Sequence, residues 1–361
     1  MLRKYTNKYY LREKRRKLRR KTWQLLKGMV SKRFAYSAEA GLQQGYRAFR
    51  EAKQTYRFFG GPEQTGVRLT ATQVSDDHNA LARLEYHCLP DGHAVQDGVL
   101  QPGTREQTGL VICCAFRGRH TVLDLVIREA LAAQNSTDLR WLLCGSTPED
   151  WDFIQRWHQR DPRVSGIITR NDPLGQKWQT VVATAHQIYD AGRIGITGSD
   201  DVLTAGLVDH VLTRGPLQPG QSPLMGCFEW LTYSRRPLPQ FYHCQYHTTR
   251  LVQPLGAGRF YDGAFVDALG GRIFDSTRPN GLDDRGFSEV ISRGYGADCY
   301  HPENHGLISV KGTWEQLNSL EAVLRTNTVI ITEYSFAAYT HLRAQMSPEG
   351  FRQMIDFDFR T

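Results

Sequence analysis

Residues 110–116, Leu-Val-Ile-Cys-Cys-Ala-Phe, form an unbroken apolar run within a chain of 361 residues. A strand that helices cover on both faces has such a run, because neither face needs polar side chains for solvent. Residues 120–134 follow with apolar side chains three and four positions apart, from Val122 to Leu131, which predicts an amphipathic helix. The two segments together predict a strand followed by the helix that covers it.

The same alternation continues along the chain. Further apolar strands are predicted at 139–144, 164–168 and 194–196, with helices from Pro148, which Thr147 caps, and over 178–191. Strands that alternate with helices in this way build a mostly parallel sheet with helices on both faces. We therefore expect a Rossmann-type α/β fold.

Composition excludes several classes of protein. Apolar residues make up 40% of the chain and aromatic residues 11%, too many for a disordered chain. The seven cysteines are odd in number and form no C-x-x-C pair, which argues against a disulfide framework or a zinc ribbon. Neither an apolar run of membrane-spanning length nor a signal peptide is apparent. These features predict a soluble protein in the cytoplasm.

Charge is distributed unevenly. Residues 1–57 carry a net charge of +15, whereas the remainder carries −7. Cations interleaved with aromatic side chains favour nucleic acid as the partner of this N-terminal arm. A solvated tail and a peripheral contact with an anionic membrane are the alternatives. The central cations of the arm are Arg12, Lys14, Arg15, Arg16, Lys17, Arg19, Arg20 and Lys21.

Four regions are predicted. The basic, aromatic-rich arm covers residues 1–59, and an irregular linker rich in Gly, Pro, Gln and Asp covers 60–107. The alternating domain covers 108–325, and a helical C-terminal extension covers 326–361. Because ligands of such sheets bind beyond the carboxyl ends of the strands, the segments at these ends are the first candidates for a site.

An acidic pair follows one of these strands. Gly198-Ser199-Asp200-Asp201 comes directly after the strand at 194–196, and paired carboxylates can hold a divalent cation. Such a cation would neutralise a diphosphate leaving group. In the alternative interpretation, Asp200 or Asp201 only caps a helix over Val202–Leu212.

A turn into a helix is the second candidate. Residues 171–178 read Asn-Asp-Pro-Leu-Gly-Gln-Lys-Trp, so that Gly175, Lys177 and a helix N-terminus are available to a phosphate. The segment is not a Walker loop, and an ordinary connection is the alternative interpretation. Arg117 and Arg119 follow the first strand and are expected to face the same ligand.

A second acidic pair, Asp283-Asp284, precedes a helix that ends near Gly294. A carboxylate at a helix start can serve as the general base for an acceptor hydroxyl, and capping is again the alternative. The glycine-rich segment 256–259, which ends in Arg259, is either part of an acceptor or diphosphate site or a plain turn.

The strand that ends in Ser-Asp-Asp and the later acidic pair resemble nucleotide-sugar-dependent glycosyltransferases of the GT-A fold. The segments at 171–178 and 198–201 are more particularly similar to glycosyltransferases encoded by tailed phages, some of which modify DNA with sugars. The resemblance covers about residues 108–320. Gly198 departs from it, because many members have the first Asp of their metal-binding motif at this position.

The resemblance implies a role for each site residue. Asp201 would bind the metal, with Asp200 beside it on the ribose or donor sugar and as a second metal ligand. His305, or its rival His301, would be a further ligand. Asp284 would be the base, supported by Asp283. The nucleotide or diphosphate would contact the remaining candidates, namely Arg117, Arg119, Asn171, Gly175, Lys177, Ser199 and Arg259.

The resemblance therefore implies an inverting glycosyltransferase with a nucleoside-diphosphate sugar, a UDP-sugar by expectation, and Mn²⁺ or Mg²⁺. The +15 arm suggests DNA that contains hydroxymethylcytosine as the acceptor, with the base flipped out of the duplex. One alternative is transfer to a surface glycan or a lipid-linked sugar. The other is a non-catalytic nucleic-acid-binding protein with a degenerate transferase fold.

Overall fold

The structure is a computed structural model, and it describes part of the chain. The described residues are 81–132, 138–215, 217–234, 240–246, 254–277, 285–300, 306–311, 329–333 and 343–356. Within these ranges, no helix has the length and apolar character needed to cross a bilayer.

The larger sheet has eight strands in the order β1-β6-β5-β4-β7-β12-β9-β13. Its four central strands, from β6 to β7, are mutually parallel, whereas β1 and β12 run antiparallel to their neighbours β6 and β7. The bounds are β1 Tyr86–Cys88, β4 Glu106–Ala115, β5 Leu139–Gly145, β6 Val164–Ile168, β7 Tyr189–Ile196, β9 Leu224–Gly226, β12 Arg259–Asp262 and β13 Asp298–Cys299.

A second sheet of five strands has the order β15-β11-β10-β14-β8. The chain leaves β7 of the first sheet and enters β8 of the second within a few residues, so that the two sheets meet there. Its strands are β8 Asp201–Leu203, β10 Glu229–Ser234, β11 Gln240–Tyr246, β14 Leu307–Lys311 and β15 Val329–Glu333; a separate hairpin joins β2 Val95–Gln96 to β3 Val99–Leu100.

Seven helices accompany the sheets in the described ranges. They are α1 His120–Ala132, α2 Pro148–Arg160, α3 Leu174–Ile188, α4 Ala205–Thr213, α5 Gly263–Ala268, α6 Arg285–Ser292 and α7 Pro348–Asp356. Apolar side chains of α1, α2 and α4 pack in one buried cluster, and those of α3 and α5 pack in another. The clusters contain opposite faces of β4, with Ile112 in the first and Val111 in the second. The expected α/β architecture is confirmed.

Two boundaries differ from the predicted ones. Helix α3 starts at Leu174, directly after Pro173, rather than at Trp178, and it ends before Tyr189, where β7 begins. The sequence favoured a longer helix because alanines continue its pattern, whereas pairing with β4 places residues 189–191 in the sheet.

The helix predicted over Val202–Leu212 is also shorter. Residues 201–203 form β8, and α4 begins only at Ala205, where the hydroxyl of Thr204 accepts a hydrogen bond from the Leu207 amide. The capping interpretation of Asp200 and Asp201 is therefore wrong, because Thr204 caps this helix.

The C-terminal part of the chain contributes a strand as well as a helix. β15 pairs with β11, so the region from residue 326 is not purely helical. Helix α7 docks on α1 through Glu129, whose buried carboxylate accepts hydrogen bonds from the Ser347 amide (2.8 Å) and hydroxyl (2.6 Å). A Cβ at Gly350 would lie 1.8 Å from Oε1 of Glu129, so this contact requires glycine.

Candidate active site

The acidic pair lies where the two sheets meet. Asp200 precedes β8 and Asp201 begins it, and the Val310 amide of β14 donates to the Asp200 carbonyl at 2.7 Å. Gly198 allows the chain to turn here, since a Cβ at this position would lie 2.3 Å from Oδ2 of Asp201. The carboxylate of Asp201 thus occupies the space that a side chain at position 198 would need.

Both carboxylates are buried and have partners on β14. Lys311 Nζ donates to Oδ2 of Asp200 at 2.8 Å, and the Ser309 hydroxyl donates to Oδ1 of Asp201 at 2.6 Å. Burial, reinforced by the charge of Asp200, raises the pKa of Asp201 to about 6. Burial lowers the pKa of Lys311, but Asp200 and Asp201 outweigh it and raise this pKa above its usual value.

The loop after β4 brings a second cation to Asp200. Arg119 has a positive φ of 57°, and its Nη1 atom lies 3.8 Å from Oδ1 of Asp200. Asp150 holds this loop in place: its Oδ1 atom accepts from the Gly118 amide at 2.8 Å and from His120 Nε2 at 2.7 Å. Arg117 is exposed at the start of the same loop.

Asp150 also organises the turn after β5. Its Oδ2 atom accepts from the amides of Ser146 (2.8 Å) and Thr147 (3.2 Å), and the side chain is fully buried. Thr147 caps α2 in return, which confirms the predicted helix start. One carboxylate therefore fixes the carboxyl ends of two neighbouring strands.

Lys177 joins three strand ends. Its fully buried ammonium donates to the Phe116 carbonyl, to the Ser146 hydroxyl at 2.7 Å and to Oδ1 of Asn171 at 3.2 Å. These acceptors follow β4, β5 and β6, respectively. Burial lowers the pKa of Lys177. Lys177 thus links the carboxyl ends of these three strands. Contact of Lys177 with a phosphate stays a prediction.

The other predicted nucleotide contacts lie around the same edge. Ser199 is buried beside the acidic pair, and Gly175 is buried in the first turn of α3. Arg259 is opposite Ile196 at the end of β7, but its guanidinium donates to the carbonyls of Leu255 (3.0 Å) and Pro254 (2.9 Å). Arg259 therefore binds the backbone just before the glycine-rich segment 256–259, and contact of this segment with a ligand stays a prediction.

Several predicted residues lie outside the described ranges. They are the catalytic candidates Asp283 and Asp284, the metal candidates His305 and His301, and all eight cations of the arm from Arg12 to Lys21. Helix α6 starts at Arg285, so the predicted helix after Asp284 is confirmed. Gly306, the residue after His305, accepts a hydrogen bond from the Thr204 amide through its carbonyl oxygen. This bond lies at one end of the β8–β14 pair, whereas Ser309 and Lys311 lie at the other end.

The donor set described around the acidic pair does not fit a divalent cation. Asp200 is already bonded to the ammonium of Lys311, and Asp201 to a hydroxyl. Among the residues that the structure describes, no group of three or more His, Cys, Asp and Glu side chains is placed to hold a metal ion. Of the two predicted metal ligands, Asp200 is thus bonded to a lysine and Asp201 to a serine.

Sequence reasoning missed Lys311, Ser309 and Asp150. A signal for the first two existed, because apolar and polar residues alternate over 308–311, which places Ser309 and Lys311 on one face of a strand. Asp150 lies in the first turn of α2, where an acidic residue is common and gives no sign of a further role. Its bonds to the loop after β4 depend on sheet order, which the sequence does not display.

No protein-family model matches the chain, and no curated protein matches it. The mannosyltransferase PcManGT from Pyrobaculum calidifontis, solved with GDP-Man and Mn²⁺, is similar over 60% of each chain, with 13% identity and a TM-score of 0.42. S. aureus TarS 1–349 with UDP-GlcNAc is similar over 69% of this chain and 70% of its own, with 10% identity and a TM-score of 0.40. The chain thus spans 60% of the mannosyltransferase's length, and we infer no activity from likenesses this distant.

Proposed function

We propose that this protein is a glycosyltransferase that uses a nucleoside-diphosphate sugar. The observation that carries the proposal is the buried pair Asp200–Asp201 at the carboxyl edge of the parallel strands, with Arg119 and Lys311 beside it. Ligands of open α/β sheets bind at this edge. Carboxylates can accept hydrogen bonds from ribose and sugar hydroxyls, and a guanidinium can bind a diphosphate.

The proposed reaction is a single displacement at the anomeric carbon. The acceptor oxygen forms a bond to this carbon, while the bond from the carbon to the diphosphate oxygen breaks and its electron pair leaves with the diphosphate. The acceptor proton passes to a carboxylate, for which Asp284 remains our candidate and Asp283 its support. The arginines Arg117 and Arg119 would stabilise the charge that develops on the leaving diphosphate.

We propose DNA with hydroxymethylcytosine as the acceptor, and a UDP-sugar as the donor. The support is the net charge of +15 in residues 1–57, which suits a polyanion that extends beyond the site. Transfer to a surface glycan or a lipid-linked sugar is the second candidate, in which the same arm would contact an anionic surface.

A donor panel tests the proposal. UDP-, GDP- and TDP-sugars are incubated with plain DNA, with hydroxymethylcytosine-containing DNA and without acceptor, and the released nucleoside diphosphate is measured. We expect release that depends on the modified DNA and that Asp284→Asn abolishes. The exposed Asp152 supplies a matched control, since Asp152→Asn should retain full activity. Release that is indifferent to DNA would refute the acceptor, and no release with any donor would refute the transferase.

The arm is tested separately by its salt dependence. Affinity for duplex DNA should fall steeply with salt, and deletion of residues 1–57 should remove this dependence. Unchanged DNA affinity after the deletion would contradict the assigned role of the arm.

A further inference from the structure

Lys311 is bonded to one of the two carboxylates that the sequence resemblance assigns to a divalent cation. Nζ of Lys311 is 2.8 Å from Oδ2 of Asp200, and the two side chains are 9% and 10% exposed. A buried ion pair of this geometry is difficult to open, because either group alone would be a buried, uncompensated charge. A metal ion that bound Oδ2 of Asp200 would have to displace the ammonium.

The charges around the pair also balance without a metal. When both carboxylates are ionised, Asp200 and Asp201 contribute two negative charges, and Lys311 and Arg119 contribute two positive ones. Divalent cations bind where several oxygen ligands leave a net negative charge. Counted over the described residues, the site therefore has no excess of negative charge that would attract one.

The third feature is the absence of room for another carboxylate at position 198. A Cβ there would lie 2.3 Å from Oδ2 of Asp201, so an aspartate cannot be added without moving Asp201. Gly198 and Lys311 thus belong to one arrangement, in which Asp201 packs against the backbone and Asp200 is neutralised by the protein.

We propose that Lys311 replaces the divalent cation, and that this protein transfers its sugar without a metal ion. The inference rests on the proposed function and specifies its chemistry. In the displacement, the electron pair of the broken carbon–oxygen bond leaves on the diphosphate, whose charge Arg119 meets with a side chain that is 30% exposed. Lys311 holds Asp200 in place through its bond to Oδ2, so it is a positioning residue.

Capture of Mn²⁺ by the protein alone tests the proposal without relying on turnover. The electron paramagnetic resonance signal of free Mn²⁺ is followed while wild-type protein, Lys311→Met and Lys311→Arg are titrated. We expect no stoichiometric capture by the wild type or by Lys311→Arg, and a gain in affinity of at least about tenfold in Lys311→Met, which leaves two carboxylates without the ammonium. Stoichiometric capture by the wild type would overturn the proposal, and so would a folded Lys311→Met that captures no Mn²⁺.

A second measurement covers the case in which Lys311→Met does not fold. The affinity of wild-type protein for UDP and for GDP is measured by calorimetry in EDTA and in Mn²⁺. We expect the affinity of whichever nucleotide binds to agree within about twofold between the two conditions, and a gain of about tenfold with Mn²⁺ would overturn the proposal. If neither nucleotide binds in either condition, the proposed function fails and this inference fails with it, whereas dependence on Mn²⁺ refutes this inference alone.

Discussion

Replacement of Lys177 by methionine should destabilise the whole domain. The ammonium is fully buried and donates to the Phe116 carbonyl, the Ser146 hydroxyl and the Asn171 side chain. Lys177→Met keeps the volume of the side chain but leaves these acceptors without a donor, at about 1–3 kcal/mol each. Removal of a buried charge offsets part of this cost. We expect a net loss of about 3 kcal/mol in the free energy of unfolding at pH 7.

Urea denaturation measures this loss, and thermal unfolding should show a midpoint lower by roughly 6–10 °C. Arg170→Met is the matched control, because Arg170 is exposed near the same strand end and, within the described part of the chain, its guanidinium donates to Gln176. It should stay within about 0.5 kcal/mol of the wild type. If Lys177→Met lowers the free energy of unfolding by less than about 1 kcal/mol and weakens nucleotide binding, Lys177 binds the ligand and does not stabilise the three strand ends.

The pH dependence of Lys177 provides a second check on the same reasoning. Its pKa is lower in the folded protein than the ordinary value of 10.5, because of burial. Between these two values the unfolded chain binds more protons than the native one, so the contribution of this group to stability rises with pH in that window. The free-energy difference between wild type and Lys177→Met should therefore grow as pH rises towards 10.5.

Three further predictions follow from contacts in the structure. Gly198→Ala should displace the Asp201 carboxylate and reduce transferase activity at least about tenfold. Gly215→Ala is the control, because a Cβ at Gly215 meets nothing within 4 Å, and it should have no effect on turnover. Equal activity of the two variants would contradict the role of Gly198. Because the pKa of Asp201 is raised to about 6, the stability of wild type relative to Asp201→Asn should decrease as pH rises from about 4 to about 6. A flat difference over that range in urea titrations would count against this pKa. Gly350→Ala should cost about 1–3 kcal/mol of unfolding free energy by forcing the Glu129 carboxylate off Ser347, and an unchanged denaturation midpoint would exclude the contact.

The sequence predicted the parallel half of the fold well, because its strands are buried on both faces. The run at 110–116 is continuously apolar and the segment at 164–168 is apolar apart from Ser165, and both segments form strands in the structure. Residues 202–203 are apolar too, but they precede a helix, so their pattern is compatible with either element. Pairing of Val202 with Ile308 determines the outcome, and that contact joins residues far apart in the chain.

Only part of the candidate site could be predicted from the sequence, again because contacts between residues far apart in the chain complete it. Asp200 and Asp201 stand out as adjacent carboxylates after a strand. Their partners Ser309 and Lys311 arrive from a strand more than a hundred residues later, and only the antiparallel register of β8 and β14 brings Ser309 opposite Asp201. The propensities and spacing of residues in the sequence predict local structure only. The pairing of Asp200 with Lys311 depends on how the strands assemble into sheets.

The position of the acidic pair between two sheets has a consequence for mutational studies. The bond between Asp200 and Lys311 joins the turn after β7 to the last residue of β14, so the residues proposed to act on the donor also fasten one sheet to the other. Many inactive variants at this site will therefore be inactive because they do not fold. Variants that affect the reaction but not folding should be sought at exposed positions such as Arg117, where a side chain can be removed without breaking the contact between the two sheets.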